Sequence, residues 1–240
     1  CNIASDVYFI LYYRFMSKDD VQQFREEFRR TGIPKSYSPS IHVIFNFGST
    51  ALLFLYLLLQ VEQFEVWHIF VLIPAFLLAN FGEYLIHRFP LHRPYPIIHK
   101  ATFSIHQEAH HHFFTDEYIV YDEPKDLLII FFHPILVVIL MLFVVPAMYL
   151  ILPLFFSQDL SYLILAGTCL YFITYEVVHY ICHLPADHAL IKIRLLRFLR
   201  THHLIHHNLK LMTTTNFNIV FPFWDWILGT LRFEMEQKTE

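Results

Sequence analysis

Four long apolar stretches punctuate the chain, separated by polar segments of very unequal length. Residues 41–60 carry no charge and match the roughly 20 apolar residues that cross about 30 Å of hydrocarbon. Residues 67–86 form a second such stretch, with one acid, Glu83, near its end; only the segment 61–66 separates the two. From 127 to 156, thirty residues pass without Lys, Arg, Asp or Glu, which as one helix would rise about 45 Å. That exceeds a perpendicular span, so the pattern predicts one long helix, kinked or stopped at Pro134, Pro146 or Pro153, and a short polar break at 157–159. A fourth stretch runs from about 160 to 182. In the first 40 residues, VYFILYYRFM is too short to span, and KDDVQQFREEFRR has the look of an interfacial helix ending at TGIP. No basic region precedes an apolar core and cleavage site, so no secretory signal is expected.

The expected fold is all-α and a single membrane domain over 1–240: an interfacial segment at 1–40, four transmembrane helices within 41–182, a polar insertion at 87–126, and a helical cap at 183–240. Charge sets the expected orientation. All 17 lysines and arginines fall before 41, between 87 and 126, or after 183, whereas the loops 61–66 and 157–159 hold only Glu62, Glu65 and Asp159. Four spans bring the basic stretches to one face, which the positive-inside rule makes cytoplasmic together with both termini.

Composition agrees with a membrane protein: 56% hydrophobic residues, a mean hydropathy of +0.44 and 16% charged residues, against about 25% charged in soluble domains. The net charge of -4 argues against a nucleic-acid partner, and Cys1, Cys169 and Cys182 are too few and scattered for a disulfide framework or a thiolate zinc site. Histidine is the exception to an otherwise ordinary inventory, with 17 residues.

Most of these lie in four clusters: HRFPLH (87–92), HQEAHHH (106–112), HYICH (179–183) and HHLIHH (202–207). Imidazole is a neutral ligand for iron, zinc, copper and nickel. Residues four apart on a helix share a face and residues three apart nearly so, so His179 with His183, His106 with His110, and His203 with His206 and His207 are each expected to converge on one point. His87 and His92, five apart, do not share an α-helical face; Pro90 is expected to break the helix and leave His92 on the following loop. Ten candidates result: His87, His92, His106, His110, His111, His179, His183, His203, His206 and His207. One ion cannot use ten nitrogens, but two can at about five each. His112 and His202 are the alternates to His111 and His203 by a shift of one position, while His42, His68, His99, His133 and His188 read as core or interfacial residues. Glu176, three before His179, and Glu83, four before His87, are placed to accept the distal N–H of a ligand imidazole.

The order of these boxes resembles the fatty acid hydroxylase superfamily of integral-membrane, histidine-box, non-haem di-iron enzymes, which also contains sterol desaturases and sterol methyl oxidases. The resemblance covers about residues 67–235 and includes a closing stretch, NFNIVFPFWDWILGT, with Asn216, Trp224, Asp225, Gly229 and Thr230. The second box departs from the pattern, with three residues before its pair and a third histidine after it. The resemblance implies two iron ions, with zinc able to occupy the same nitrogens, dioxygen as cosubstrate, and hydroxylation of a C–H bond of a fatty acyl, sphingolipid or sterol-like substrate reached from the bilayer. It adds Asp225 to Glu176 as a candidate catalytic support. No cytochrome b5 segment is visible, so a separate electron donor of cytochrome b5, ferredoxin or reductase type is expected. The alternatives are a lipid or sterol desaturase of the same superfamily and, in another class, a metal-binding or transport membrane protein.

Overall fold

The computed structural model describes residues 17–234, and every regular element in them is helical; VYFILYYRFM lies outside the described residues. Helix α1 (Lys18–Glu27) opens on a Ser17 capping box and widens into a π-turn, Phe28–Gly32. Helix α2 (Pro39–Leu59) starts with Ser38 as cap and proline in its first turn. Helix α3 (His68–Ile86) continues through a second π-turn, His87–Leu91. Helices α4 (Pro134–Leu154) and α5 (Gln158–Cys182, capped by Ser157) complete four elements long and apolar enough to cross a bilayer. The cap contributes α6 (Arg194–His206) and the short α7 (Phe223–Ile227).

Helix α5 is the axis of the bundle: 56% of its apolar window is buried, against 11–22% in the other three spans, and it packs on α2, α3, α4 and α6. The apolar faces of α2, α3 and α4 point outward, with Leu52, Phe70 and Leu150 exposed, as hydrocarbon-facing surfaces do. The chain is an integral membrane protein.

The thirty-residue apolar run is not one bent helix. A short helix, Leu127–Ile130, ends at Phe131 in extended conformation, and α4 begins only after His133, whose ring caps the Ile135 N–H. Pro134 causes the break, because its ring drives the preceding residue out of the helical region. An N–H freed at membrane depth needs a partner, and the carboxylate of Glu176 accepts the Phe132 N–H at 3.1 Å.

Two polar segments also sit differently from the sequence expectation. Rather than lying free at an interface, α1 is clamped to the insertion: Arg25, 1% exposed, donates to the carbonyls of Phe113, Tyr118 and Val120 at 3.0–3.1 Å and pairs with Asp122 at 2.6 Å, while Arg29 pairs with Asp126. And not all of 183–240 caps the bundle. Residues 216–232 form a hairpin along α3, with Asn218 donating to the Asn80 carbonyl and the Trp224 indole to the Leu77 carbonyl. Leu77 precedes His87 by ten residues, about 15 Å of helix rise, so the hairpin re-enters the depth of the spans. Its two left-handed residues, Asn216 (φ 58°) and Gly229 (φ 69°), shape its base. The Asn216 side chain ties that base shut, donating to the carbonyls of His202 and Arg232 and accepting the Arg232 N–H.

Candidate metal centre

The ten histidines gather into two groups of five at one end of the bundle. His87, His92, His106, His111 and His206 form one, and His110, His179, His183, His203 and His207 the other; all are buried. The groups adjoin, with the rings of His111 and His207 stacked at 4.4 Å.

The division is not the one α-helical spacing suggested. A π-helix closes i to i+5 bonds, so residues five apart are brought together. His87 and His92 span the π-turn at the end of α3 and stack at 5.1 Å. His106 and His111 span a third π-turn, Ser104–His110, where the His111 N–H donates to the His106 carbonyl and the two Nε2 atoms lie 3.2 Å apart. His110, four from His106, joins the other group instead. On α6, a true α-helix, His203 and His207 stay together at 2.9 Å while His206 goes to the first group. His179 and His183, four apart at the end of α5, remain a pair at 3.3 Å.

Six of the ten rings are aimed by what holds the far nitrogen, whereas the Nδ1 atoms of His111, His179 and His203 have no hydrogen-bond partner among the described residues. The Nδ1 atoms of His110, His183 and His206 lie 2.7–2.8 Å from the carbonyls of Ile129, Ile119 and Thr215. Those of His87 and His207 lie 2.5 Å from the carbonyls of Phe217 and Phe114, and that of His92 lies 2.5 Å from Gln107 Oε1. A carbonyl only accepts, so these nitrogens carry the proton and the Nε2 atoms turn lone pairs inward. Within each group neighbouring Nε2 atoms stand 2.9–3.3 Å apart, and the ligand atoms of a group all lie within 4.8 Å of one another. Lone pairs facing one another at that distance have no proton to share and repel, unless a cation lies between them. Imidazole nitrogens at about 2.1 Å from one ion at right angles would be about 3.0 Å apart, so the donor sets fit a metal ion each. Burial, the largest effect, together with neighbouring rings holds His92, His106, His111, His203 and His206 well below the ordinary imidazole range, and burial pushes His110 down to about 3. The rings are therefore neutral at pH 7, the form that binds metal.

The carboxylates do not touch the rings of the two groups. Glu176, expected behind His179, accepts instead from Phe132 N–H and Asn46. Glu83, expected behind His87, accepts from Tyr171 and the N–H groups of Ile219 and Val220. Asp225 accepts from Phe217 N–H at 2.8 Å, Asn218 N–H at 2.7 Å and Thr230, and faces His202 at 3.4 Å. Burial drives the Asp225 carboxyl upward, but His202, Thr230 and the Asn218 N–H outweigh it and hold it below the usual carboxylate range. Asp225 stands one step back from the rings: the Phe217 N–H donates to it, and the Phe217 carbonyl binds His87. Glutamine 107 is the supporting residue the sequence reading passed over, although its place beside His106 was a signal.

His112 and His202 belong to neither group; His112 Nδ1 bonds the Glu108 carbonyl. His42 binds the Phe132 carbonyl, His133 and His188 cap helices, and His68 and His99 pack on Trp67 and Phe103.

A cavity of about 610 Å³ opens beside the first group, between α3, α4 and α5. His87, Glu83 and Tyr175 stand at one end and Val71, Leu152 and Phe156 at the other, with apolar side chains forming nearly all of the wall between. From His87 to Val71 is sixteen residues, about 24 Å along α3.

A family model described as fatty acid hydroxylase matches residues 72–230. No curated protein and no solved structure matches the chain.

Proposed function

Because the chain belongs to the fatty acid hydroxylase family, we propose that this membrane oxidoreductase is a di-iron oxygenase that hydroxylates a C–H bond of a lipid chain, using dioxygen and electrons from a separate carrier. The observation that carries the reading is the position of His87, which belongs to the first histidine group and also lines the end of a long apolar cavity. A saturated carbon offers acid–base side chains neither an acidic proton nor an electrophilic centre, so a pair of iron ions, when bound, would supply the oxidising power.

The chain's own residues do the rest. The first group would hold one ion and the second the other through neutral nitrogens, with His87, His110, His183, His206 and His207 fixed by backbone carbonyls. Leu78, Ala79, Phe132, Leu140 and Phe172 form a dry wall that aligns a single extended hydrocarbon chain toward His87 and keeps water from it. The far end, at Val71 and Phe156, limits how much chain fits beyond the reacting carbon. Helices α3 and α4 both pack against α5 while the cavity lies between them, which favours entry from the bilayer. The basic stretches beside the histidine groups favour a cytoplasmic position for both the metal centre and the electron donor.

The test is incubation of iron-loaded protein in lipid nanodiscs with reductant and oxygen-18 gas, followed by mass spectrometry of the lipids. Labelled hydroxyl in an acyl, sphingolipid or sterol-like product is expected. A product with a new double bond and no label would establish desaturation in its place, and an unchanged lipid pool from fully loaded protein would defeat the oxygenase reading.

A further inference from the structure

Polar side chains are few in the wall of the apolar cavity: Glu83, His87, Thr168, Tyr171 and Tyr175. All but Tyr175 are already committed within the protein. Glu83 accepts from Asn80, Tyr171 and the N–H groups of Ile219 and Val220, Thr168 donates to the Ile164 carbonyl, and His87 is held at the Phe217 carbonyl. The Tyr175 hydroxyl makes no hydrogen bond among the described residues, although the residue is only 7% exposed. Its ring is fixed, stacked on Phe132 at 5.0 Å and tilted against His179 at 5.7 Å. His179 belongs to the second histidine group and His87 to the first. Tyr175 thus joins the cavity wall to one metal position as His87 joins it to the other.

A buried hydroxyl without a partner is costly, and hydrocarbon offers it none, so the partner is a polar atom of the lipid itself. A narrow apolar cavity admits such an atom only where the chain meets its functional group. A carbonyl oxygen, which accepts through two lone pairs, fits a lone hydroxyl donor. The orientation agrees. The histidine groups lie at one end of the bundle, so a carbonyl beside Tyr175 leaves the headgroup at the end of the spans and sends the methyl end toward Val71 and Phe156. Resting on the oxygenase reading, we propose that Tyr175 is a positioning residue: it donates a hydrogen bond to the acyl carbonyl of the lipid and thereby presents a carbon within a few bonds of that carbonyl to the metal centre.

Iron-loaded wild type and Tyr175→Phe, in nanodiscs of extracted membrane lipid, are given reductant and oxygen-18 gas, and fragmentation mass spectrometry locates the labelled hydroxyl. KM and kcat are then measured for the lipid that gains the label. The wild type should label one carbon close to an acyl carbonyl, which tests the orientation without any variant. Tyr175→Phe removes the hydroxyl and keeps the ring, so both ions and the melting temperature should be retained. Its KM should rise roughly tenfold, the worth of one neutral hydrogen bond, with kcat changing less and the label spread over neighbouring carbons. A wild-type label near the methyl end or on a sterol, or a variant with unchanged KM and a single unchanged position, would overturn the proposal. No label from fully loaded wild type would defeat the oxygenase reading itself, whereas label indifferent to Tyr175 defeats this inference alone.

Discussion

Neighbouring histidines on one helix turn have different tasks here. His206 and His207 adjoin in sequence, yet the first belongs with His87 and His92 and the second with His183 and His203. Replacing His206 by alanine should therefore lower bound iron from two toward one per chain, replacing His207 should do the same at the other position, and the double replacement should leave little. If either single change removed both ions or neither, the assignment to separate groups would be wrong. The protonation state supplies a second prediction. Burial holds His110 to about 3, against about 6.5 in an unfolded chain. Between those values the unfolded state binds a proton that the folded state refuses, so stability falls as pH falls through that window. Metal-free protein should unfold more readily at about pH 5 than at about pH 7.5, and a midpoint that stays level or rises on acidification would contradict the neutral, buried rings. Much of this was legible in the sequence, because clustered histidines have few structural uses. The supports were less so: Ile129, Thr215 and Phe217 act through carbonyls, which every residue carries, and the acids that looked like imidazole partners were needed by backbone N–H groups instead.

At the level of elements, spans are easy to read and turns of unusual pitch are not. Length and apolarity located α2, α3 and α5 to within a few residues, whereas the π-turns at His87–Leu91 and Ser104–His110 leave no mark in hydropathy. Their one trace is the repeated five-residue spacing, His87 to His92 and His106 to His111. Helix α1 was legible as amphipathic, but its partner was not, since docking depends on one buried arginine. Arg25 fixes the carbonyls of Phe113, Tyr118 and Val120, which alternate with those of Phe114 and Ile119 that aim His207 and His183. Changing Arg25 to alanine should cost about 3 kcal/mol and loosen the second group before the first. Thermal unfolding in detergent and iron content check this together; a variant with wild-type stability and two firmly held ions would show the clamp to be irrelevant.

For the whole molecule, the apolar cavity and the re-entrant hairpin are the features that no local pattern announces, because each is built from elements far apart in sequence. The cavity permits a test through Gly82, which lines it one turn from His87; a Cβ there would meet nothing within 4 Å. Gly82→Ala should be tolerated, and removing a mid-helix glycine favours folding by up to about 1 kcal/mol. Gly82→Phe should fold as well but obstruct the chain path, cutting turnover of long-chain lipids at least tenfold while both ions stay bound. Unaltered turnover in that variant would move the substrate elsewhere. All of it rests on two adjoining sets of five buried imidazoles, each placed to hold a cation. The most direct measurement is the iron content of purified, iron-supplied protein combined with X-ray absorption at the iron edge, for the wild type and for His92→Ala and His183→Ala. The structure predicts two nitrogen-ligated ions per chain and about one in each variant; a single ion in the wild type, or two ions held unchanged in both variants, would contradict it.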